Sequence, residues 1–122
     1  MGISATYIRH VDVITKEEFT RLFSTGEHPE NWFSVRESEI FSSPGHVKNL
    51  AARYLVKKRI CDQIRDHGYR KEIEILNDPF GKPEITFGKN IAKAIEQAGI
   101  KEIMCSISHS RNYITGLTIF CL

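Results

Sequence analysis

The chain has 122 residues, of which 41% are hydrophobic and 26% are charged, the composition of an ordinary globular protein. Its net charge of +2 is too small for the basic patch of a nucleic-acid-binding protein or a polybasic membrane anchor. The length is typical of one domain, so we expect a single domain over residues 1–122. No stretch approaches the ~20 apolar residues of a membrane span, and the first residues lack a signal-peptide pattern, so we expect a cytoplasmic protein.

Three cysteines, Cys61, Cys105 and Cys121, form neither an even disulfide set nor a CxxC pair. Each lies among apolar neighbours, where a thiol behaves as a small hydrophobe. We therefore expect all three to be reduced residues of the core.

The N-terminal segment predicts a strand followed by a short helix. Residues 3–14 are rich in β-branched and aromatic types, which favour a strand. Thr15 and Glu18 then form a capping-box pattern at the start of a helix. We expect this helix to end near residues 24–26.

An irregular connection and the longest helix come next. Residues 25–46 mix glycine, proline and aromatic residues, which predicts a connection tied to the core, with a helical turn around 34–40. From Val47 to about His67 apolar residues recur at helical spacing. Gly68 stands where a glycine would end this helix.

The second half of the chain predicts four strands and one helix. These are strands at 72–76 and 83–87 joined by a turn, a helix at about 89–98 closed by Gly99, and strands at 102–108 and 113–121 joined across 109–112. Helices interleaved with hairpin-connected strands predict an α+β fold, with the long helix packed on one face of an antiparallel sheet.

Polar residues are concentrated at the last hairpin. Residues 106–111 bring hydroxyls, an imidazole and a guanidinium to one turn, and such groups suit phosphate oxygens. The alternative is a polar turn whose serine side chains satisfy local backbone groups. The local sequence does not decide between these two interpretations.

Two further clusters could bind an anion. In the turn Asp78–Pro83, Gly81 lets backbone amides approach a ligand and Lys82 adds a mobile charge, although an ordinary turn explains the same residues. Arg53 and Lys57 are i and i+4 on the long helix and could meet an anion together. The alternative for these two is a solvated basic face.

Four segments, taken together, resemble one family. LAARYLVKK at 50–58 is similar to an LAxRFAAKE helix, FSVRE at 33–37 to an FTxxE segment, NDPFGKP at 77–83 to a GKP turn, and SISHS at 106–110 to a SISHT/S hairpin. These are motifs of 4′-phosphopantetheinyl transferases of the single-domain holo-acyl-carrier-protein synthase type. The resemblance covers nearly the whole chain, and the motifs occur in the family's order.

The resemblance implies an α+β phosphopantetheinyl transferase-like fold and a homotrimer whose active sites lie between subunits. It also implies transfer of 4′-phosphopantetheine from coenzyme A to a serine of an acyl carrier protein, in fatty acid or polyketide biosynthesis, with Mg²⁺ bridging the pyrophosphate. The positions that match coenzyme A contacts are Arg53, Lys57, Gly81, Lys82, Pro83, Ser108, His109 and Ser110. No nucleic acid and no membrane is expected as a partner.

The chain departs from the family where the family holds its metal, with an Asp in the first strand and the Glu of the KE pair. Here Lys58 stands at the Glu position, and the Asp falls at Thr6 unless a shifted alignment brings Asp12 there. Asp62 stands at the position of a family Lys. Mg²⁺ generally takes one or two carboxylates besides phosphates, so a magnesium site is doubtful and no metal ligand is assigned.

Lys58 is therefore the residue on which activity depends, and two interpretations of it are open. It could pair with Asp62 at i, i+4 beside a site that has lost its metal. Alternatively, its ammonium could neutralise the pyrophosphate directly and retain coenzyme A affinity. Because an ammonium cannot activate a serine as a divalent cation does, both interpretations favour impaired or absent transfer.

Two other functions remain open on the sequence. One is a non-catalytic homologue that binds coenzyme A or a carrier protein, or one subunit of a mixed assembly whose partner supplies the carboxylates. The other is an interaction protein that keeps the fold without a nucleotide site.

Overall fold

Helices and strands alternate along the chain. The structure is a computed structural model that describes residues 6–41 and 43–122. Its elements are β1 (Tyr7–Thr15), α1 (Lys16–Thr25), α2 (Val35–Ile40), α3 (Val47–Ile64), β2 (Ile73–Asn77), β3 (Pro83–Phe87), α4 (Lys89–Gln97), β4 (Glu102–His109) and β5 (Tyr113–Cys121). Short 3₁₀ turns at Pro29–Asn31, Pro44–His46 and Arg70–Glu72 lie in the connections.

The strands of the described residues form two antiparallel sheets. β1, β5 and β4 form the larger sheet in the order β1-β5-β4, and β2 pairs with β3 in a separate hairpin. Helix α3 packs across the inner face of the larger sheet, where Gly116 of β5 lies against Ala52, Leu55 and Val56. The predicted α+β fold with one long helix on an antiparallel sheet is confirmed.

Two apolar clusters fill the space around α3. Val56, Ile60 and Cys61 pack with buried residues of β2, α4 and β5, among them Ile75 and Phe120. A second cluster at the other end of the helix is aromatic and includes Phe19, Trp32, Phe33 and Tyr54. These rings explain why the irregular connection is held to the core, as predicted.

Both short helices begin at a capping box. The predicted box at α1 is present, because the Glu18 amide donates to Thr15 Oγ1 at 3.0 Å and the Thr15 amide donates to Glu18 Oε1 at 3.4 Å. At α2 the Glu37 amide donates to Ser34 Oγ at 3.1 Å, and the Ser34 amide donates to Glu37 Oε1 at 2.9 Å. The predicted helical turn around 34–40 is therefore a capped helix.

Some predicted boundaries were wrong. Helix α3 ends at Ile64 rather than near His67. The residue that ends it is Arg65, which adopts the left-handed conformation (φ 56°), and not the predicted Gly68. Glu72 does not begin β2, and its carboxylate instead accepts hydrogen bonds from the first amides of α4, including the Asn90 amide at 2.8 Å. Residues 3–5 of the predicted first strand lie outside the described residues.

The cysteines are unpaired, as predicted. Cys61 is buried, and Cys105 and Cys121 are half-buried. Burial raises the pKa of the Cys61 and Cys105 thiols to about 11, so both remain protonated at neutral pH. Of the described helices, none is both long and apolar enough to cross a membrane.

Replacement of Gly116 by alanine tests the close packing of α3 on the sheet. A Cβ at this position would lie 3.1 Å from Leu55 Cβ and 3.4 Å from Val56 Cγ2, so the helix would have to move. We expect Gly116→Ala to lower the free energy of unfolding by roughly 1–3 kcal/mol in urea denaturation. The control is Gly45→Ala, where nothing lies within 4 Å of the added Cβ, and equal effects of the two substitutions would contradict the packing argument.

Candidate functional site

The two basic residues predicted to share one face of α3 lie inside the protein. Arg53 and Lys57 are both completely buried, so the alternative of a solvated basic face is wrong. Burial lowers the pKa of both side chains, and the nearby Glu37 carboxylate opposes that shift. Within this chain neither charge is available at the surface, and the partners of each are groups of the fold itself.

Arg53 connects the long helix to the end of β2. Its Nε donates to the carbonyl of Ile75 at 2.7 Å, and its Nη2 donates to Asn77 Oδ1 at 3.1 Å. The guanidinium also stacks on Phe41, 4.0 Å from the ring centroid. Since Asn77 directly precedes the turn Asp78–Pro83, hereafter the GKP turn, Arg53 positions the strand from which that turn begins.

Lys57 and Glu37 form a buried ion pair in which further hydrogen bonds satisfy both charges. The Lys57 ammonium donates to the Glu37 carboxylate and to the carbonyl of Trp32 at 2.7 Å. Glu37 also accepts from the Ile75 amide at 2.9 Å and from the Ser34 amide at 2.9 Å. The FSVRE and LAARYLVKK segments therefore meet through this pair, which also contacts β2.

The GKP turn is held in shape by Asp78. Its Oδ1 accepts hydrogen bonds from the amides of Phe80 and Lys82, each at 2.9 Å. Gly81 adopts a φ of 83°, the left-handed region in which glycine carries no steric cost. The Lys82 side chain is left at the surface, and Phe80 is 95% exposed.

A cavity lies between the GKP turn and the edge of the larger sheet. Its volume is about 480 Å³, and Lys82, Pro83 and Ile85 line one side while Ile103 and Cys105 line the other. β3 and β4 are not hydrogen-bonded neighbours, which leaves this space between the two sheets. The structure thus places two of the predicted site residues, Lys82 and Pro83, beside β4, the strand that leads into the last hairpin.

The last hairpin uses one of its polar residues in the turn itself and leaves two others at the surface. The Ser110 hydroxyl accepts from the Tyr113 amide at 3.3 Å, so it serves the turn locally. Ser108 and His109 are exposed at the end of β4. Lys48 of α3 fixes the tip, because its ammonium donates to the carbonyl of Ser110 at 2.9 Å.

Lys58 lies on the surface of α3 in a small charged cluster. Its ammonium donates to Asp62 Oδ2 at 3.0 Å, and His67 Nε2 lies 2.8 Å from Asp62 Oδ1. Burial disfavours the charged form of Asp62, but the hydrogen bonds from Lys58 and His67 outweigh it and lower the pKa of this carboxyl. The predicted i, i+4 pair is therefore present.

Asp12 of β1 faces the long helix. Arg59 donates to its two oxygens, from Nε at 3.0 Å and from Nη2 at 2.6 Å. Thr6 precedes β1 and its carbonyl accepts from the Leu122 amide at 2.8 Å. Whether Asp12 or Thr6 corresponds to the family's first-strand Asp stays a prediction of the alignment.

A magnesium ion does not fit the residues at this junction. Both oxygens of Asp12 accept from the Arg59 guanidinium, and the neighbouring position 58 supplies an ammonium instead of a carboxylate. Mg²⁺ needs oxygen ligands in octahedral geometry. Over residues 6–41 and 43–122 no group of three or more His, Cys, Asp or Glu side chains could hold a metal ion.

One chain does not bring all the predicted site residues together. Lys48, which holds the hairpin tip, and Lys58 are ten positions apart on α3, or about 15 Å along the helix axis. The hairpin and the charged cluster are therefore separate surfaces of the same protomer.

Known proteins resemble this chain over most of its length. The holo-[acyl-carrier-protein] synthase of Caldanaerobacter subterraneus is 30% identical over 114 residues, which cover 88% of this chain and 89% of that protein. The synthase of Dehalococcoides mccartyi is 34% identical over 86 residues, covering 67% and 71%. This chain belongs to the holo-[acyl-carrier-protein] synthase family. The family predicted from the four segments is thereby confirmed.

A solved structure agrees with the fold of this family member. The complex of the Chronobacterium ammoniagenes synthase with coenzyme A superposes with a TM-score of 0.75 and 24% identity, covering 94% of this chain and 96% of that one. No protein-family model matches the sequence.

Sequence reasoning missed several residues that shape the site. Glu37 could have been found, because Ser34 and Glu37 have the spacing of a capping box. Lys48 and Arg59 had no local signal, since their contacts span 62 and 47 residues.

Substitutions of the buried pair test its role in this synthase-family chain. Glu37→Leu leaves the buried Lys57 ammonium uncompensated, so we expect the free energy of unfolding to fall by about 3–5 kcal/mol in urea denaturation. The double variant Glu37→Leu/Lys57→Met removes both charges and should be the more stable of the two variants. A Glu37→Leu protein within about 1 kcal/mol of wild type would contradict a structural role for the pair.

Proposed function

We propose that this chain binds coenzyme A and transfers its 4′-phosphopantetheine arm to a serine of an acyl carrier protein. Its relatives named holo-[acyl-carrier-protein] synthase support this proposal over 88% of the chain. In the reaction the serine oxygen attacks the β-phosphorus of coenzyme A. The phosphorus–oxygen bond to 3′,5′-ADP breaks, and the serine hydroxyl proton is released to solvent.

The observation that carries the proposal is a set of exposed hydrogen-bond donors at two turns whose backbone is held by internal hydrogen bonds. Lys82 and the backbone around Gly81 lie at the surface in a turn that Asp78 shapes. Ser108 and His109 lie at the surface of a hairpin end. We assign to these groups the phosphate and nucleotide contacts of coenzyme A, because charge-assisted donors on fixed backbone suit phosphate oxygens.

The remaining predicted ligands take different roles in this proposal. Pro83 lines the cavity beside Lys82, and the Ser110 backbone closes the hairpin that presents Ser108. Arg53 and Lys57 are positioning residues that act through β2, since both are completely buried.

Assembly into a homotrimer, with sites between protomers, belongs to the same proposal. The outer face of the larger sheet carries exposed apolar residues at register positions that share that face: Tyr7, Val11, Val13, Met104 and Tyr113. An exposed apolar face of this kind marks a surface for association. Assembly would also join the hairpin of one protomer to the charged cluster of the next, which a single chain keeps apart.

A second candidate function is coenzyme A binding without transfer. The poor fit of Mg²⁺ to Asp12 and Lys58 favours it, because phosphoryl transfer gains much of its rate from a divalent cation on the phosphates. Both candidates require coenzyme A binding, and only the first requires modification of the carrier.

The transfer assay separates the two candidates. Purified protein is incubated with apo-acyl carrier protein, coenzyme A and Mg²⁺, and the carrier is examined by intact mass for addition of the phosphopantetheine arm. Addition supports transfer, whereas its absence across several carriers, with coenzyme A binding retained, supports the second candidate. Absence of any thermal shift with coenzyme A contradicts both, since a ligand stabilises by RT ln(1 + [L]/Kd).

Lys82 should contribute directly to that binding. We expect Lys82→Ala to weaken coenzyme A affinity about tenfold in calorimetric titration, the loss of roughly one charge-assisted contact. Lys93→Ala is the matched control, because Lys93 is an exposed lysine of α4. Equal effects of the two substitutions would contradict the assignment of the GKP turn.

Assembly through the sheet face is tested by light scattering. The wild-type particle should have three times the 14.0 kDa mass of the chain. A charge at Val11, which is 65% exposed on β1, should dissociate it, because assembly would bury that charge without a partner. The control Val35→Glu places the same charge on α2, at a residue 74% exposed, and should remain assembled. Assembly that survives Val11→Glu would contradict this interface.

A further inference from the structure

Two basic side chains, Lys58 and Arg59, lie at the junction between β1 and α3. We propose that Lys58 and Arg59 bind the pyrophosphate of coenzyme A there without a divalent metal ion, with Asp12 and Asp62 as their fixed counterions. The inference rests on the coenzyme A binding proposed above and specifies how that site neutralises its ligand.

Arg59 occupies the carboxylate that a metal ion would need. Nε and Nη2 of Arg59 donate to the two oxygens of Asp12 at 3.0 and 2.6 Å, a bidentate pair that is mostly buried. A cation that bound Asp12 would have to displace this guanidinium and its two charge-assisted hydrogen bonds. The described contacts use two of the five N–H donors of Arg59, so donors remain for a phosphate oxygen.

Lys58 is the more accessible of the two cations. Its side chain is 48% exposed, and the described contacts use one of its three donors, on Asp62 at 3.0 Å. Asp62 is itself engaged on its other oxygen by His67 at 2.8 Å. The ammonium therefore has a fixed position and unused donors at the surface.

The cluster is electrically balanced, and both of its carboxylates are already paired with cations. Asp12 and Asp62 carry two negative charges, and Lys58 and Arg59 carry two positive charges directly beside them. A divalent ion would add two further positive charges next to both cations without a free carboxylate to receive it. A pyrophosphate group brings the negative charge that the unused donors can accept.

The test is a charge swap that keeps the ion pair on the helix. The double variant Lys58→Glu/Asp62→Lys retains an i, i+4 pair and the net charge of the chain, but it replaces the ammonium at position 58 with a carboxylate. Coenzyme A is titrated calorimetrically into both full-length proteins, once with Mg²⁺ and once with EDTA. We expect the affinity of the wild-type protein for coenzyme A to differ less than about twofold between Mg²⁺ and EDTA. The swapped protein should bind coenzyme A about tenfold more weakly in EDTA than in Mg²⁺.

A second variant measures the ammonium itself. Lys58→Met should weaken wild-type affinity for coenzyme A about tenfold in either condition, whereas the control Lys93→Met should leave it unchanged. Wild-type binding that requires Mg²⁺, or an unchanged affinity in Lys58→Met, would overturn the inference while the proposed function stands. Binding of coenzyme A in neither condition would overturn both.

Discussion

The rest of the structure depends on the buried contact between Lys57 and Glu37. It joins the long helix to the capped helix α2, to the carbonyl of Trp32 and to the amide of Ile75 in β2. Because a buried ion pair seldom adds stability over apolar packing, its value here lies in specificity: its partners must take one arrangement for their charges and hydrogen bonds to be satisfied. Through the Ile75 amide the pair also holds β2, the strand from which the GKP turn begins.

Buried contacts hold the elements that carry the exposed groups of the site, and the exposed groups add little to those contacts. Arg53 joins α3 to Asn77, directly before the GKP turn, and Lys48 attaches the hairpin tip to the first turn of α3. The basic residues of the long helix thus divide by burial. The buried ones position backbone, whereas Lys58 stays at the surface, where a ligand can reach it.

The chain belongs to the synthase family, whereas its departure from the family's metal-binding pattern stays a prediction from the resemblance. A net charge of +2 gives no hint of the cluster at the β1–α3 junction, because its two carboxylates and two cations cancel. Within the cluster the Lys58 ammonium pairs with Asp62 on the same helix. The junction therefore offers a ligand two cations and two carboxylates that are already engaged.

The sequence by itself determined the local elements of this protein. The box at Thr15, the helical periodicity of α3 and the two hairpins depend on residues only a few positions apart, so their signals are visible in the chain. The exposed donors of the site were also visible, as short motifs. Only the tertiary structure decided that Arg53 and Lys57 are buried and that Asp12 meets Arg59, 47 residues away. Such contacts depend on how the elements pack, and sequence spacing carries no information about a partner that distant.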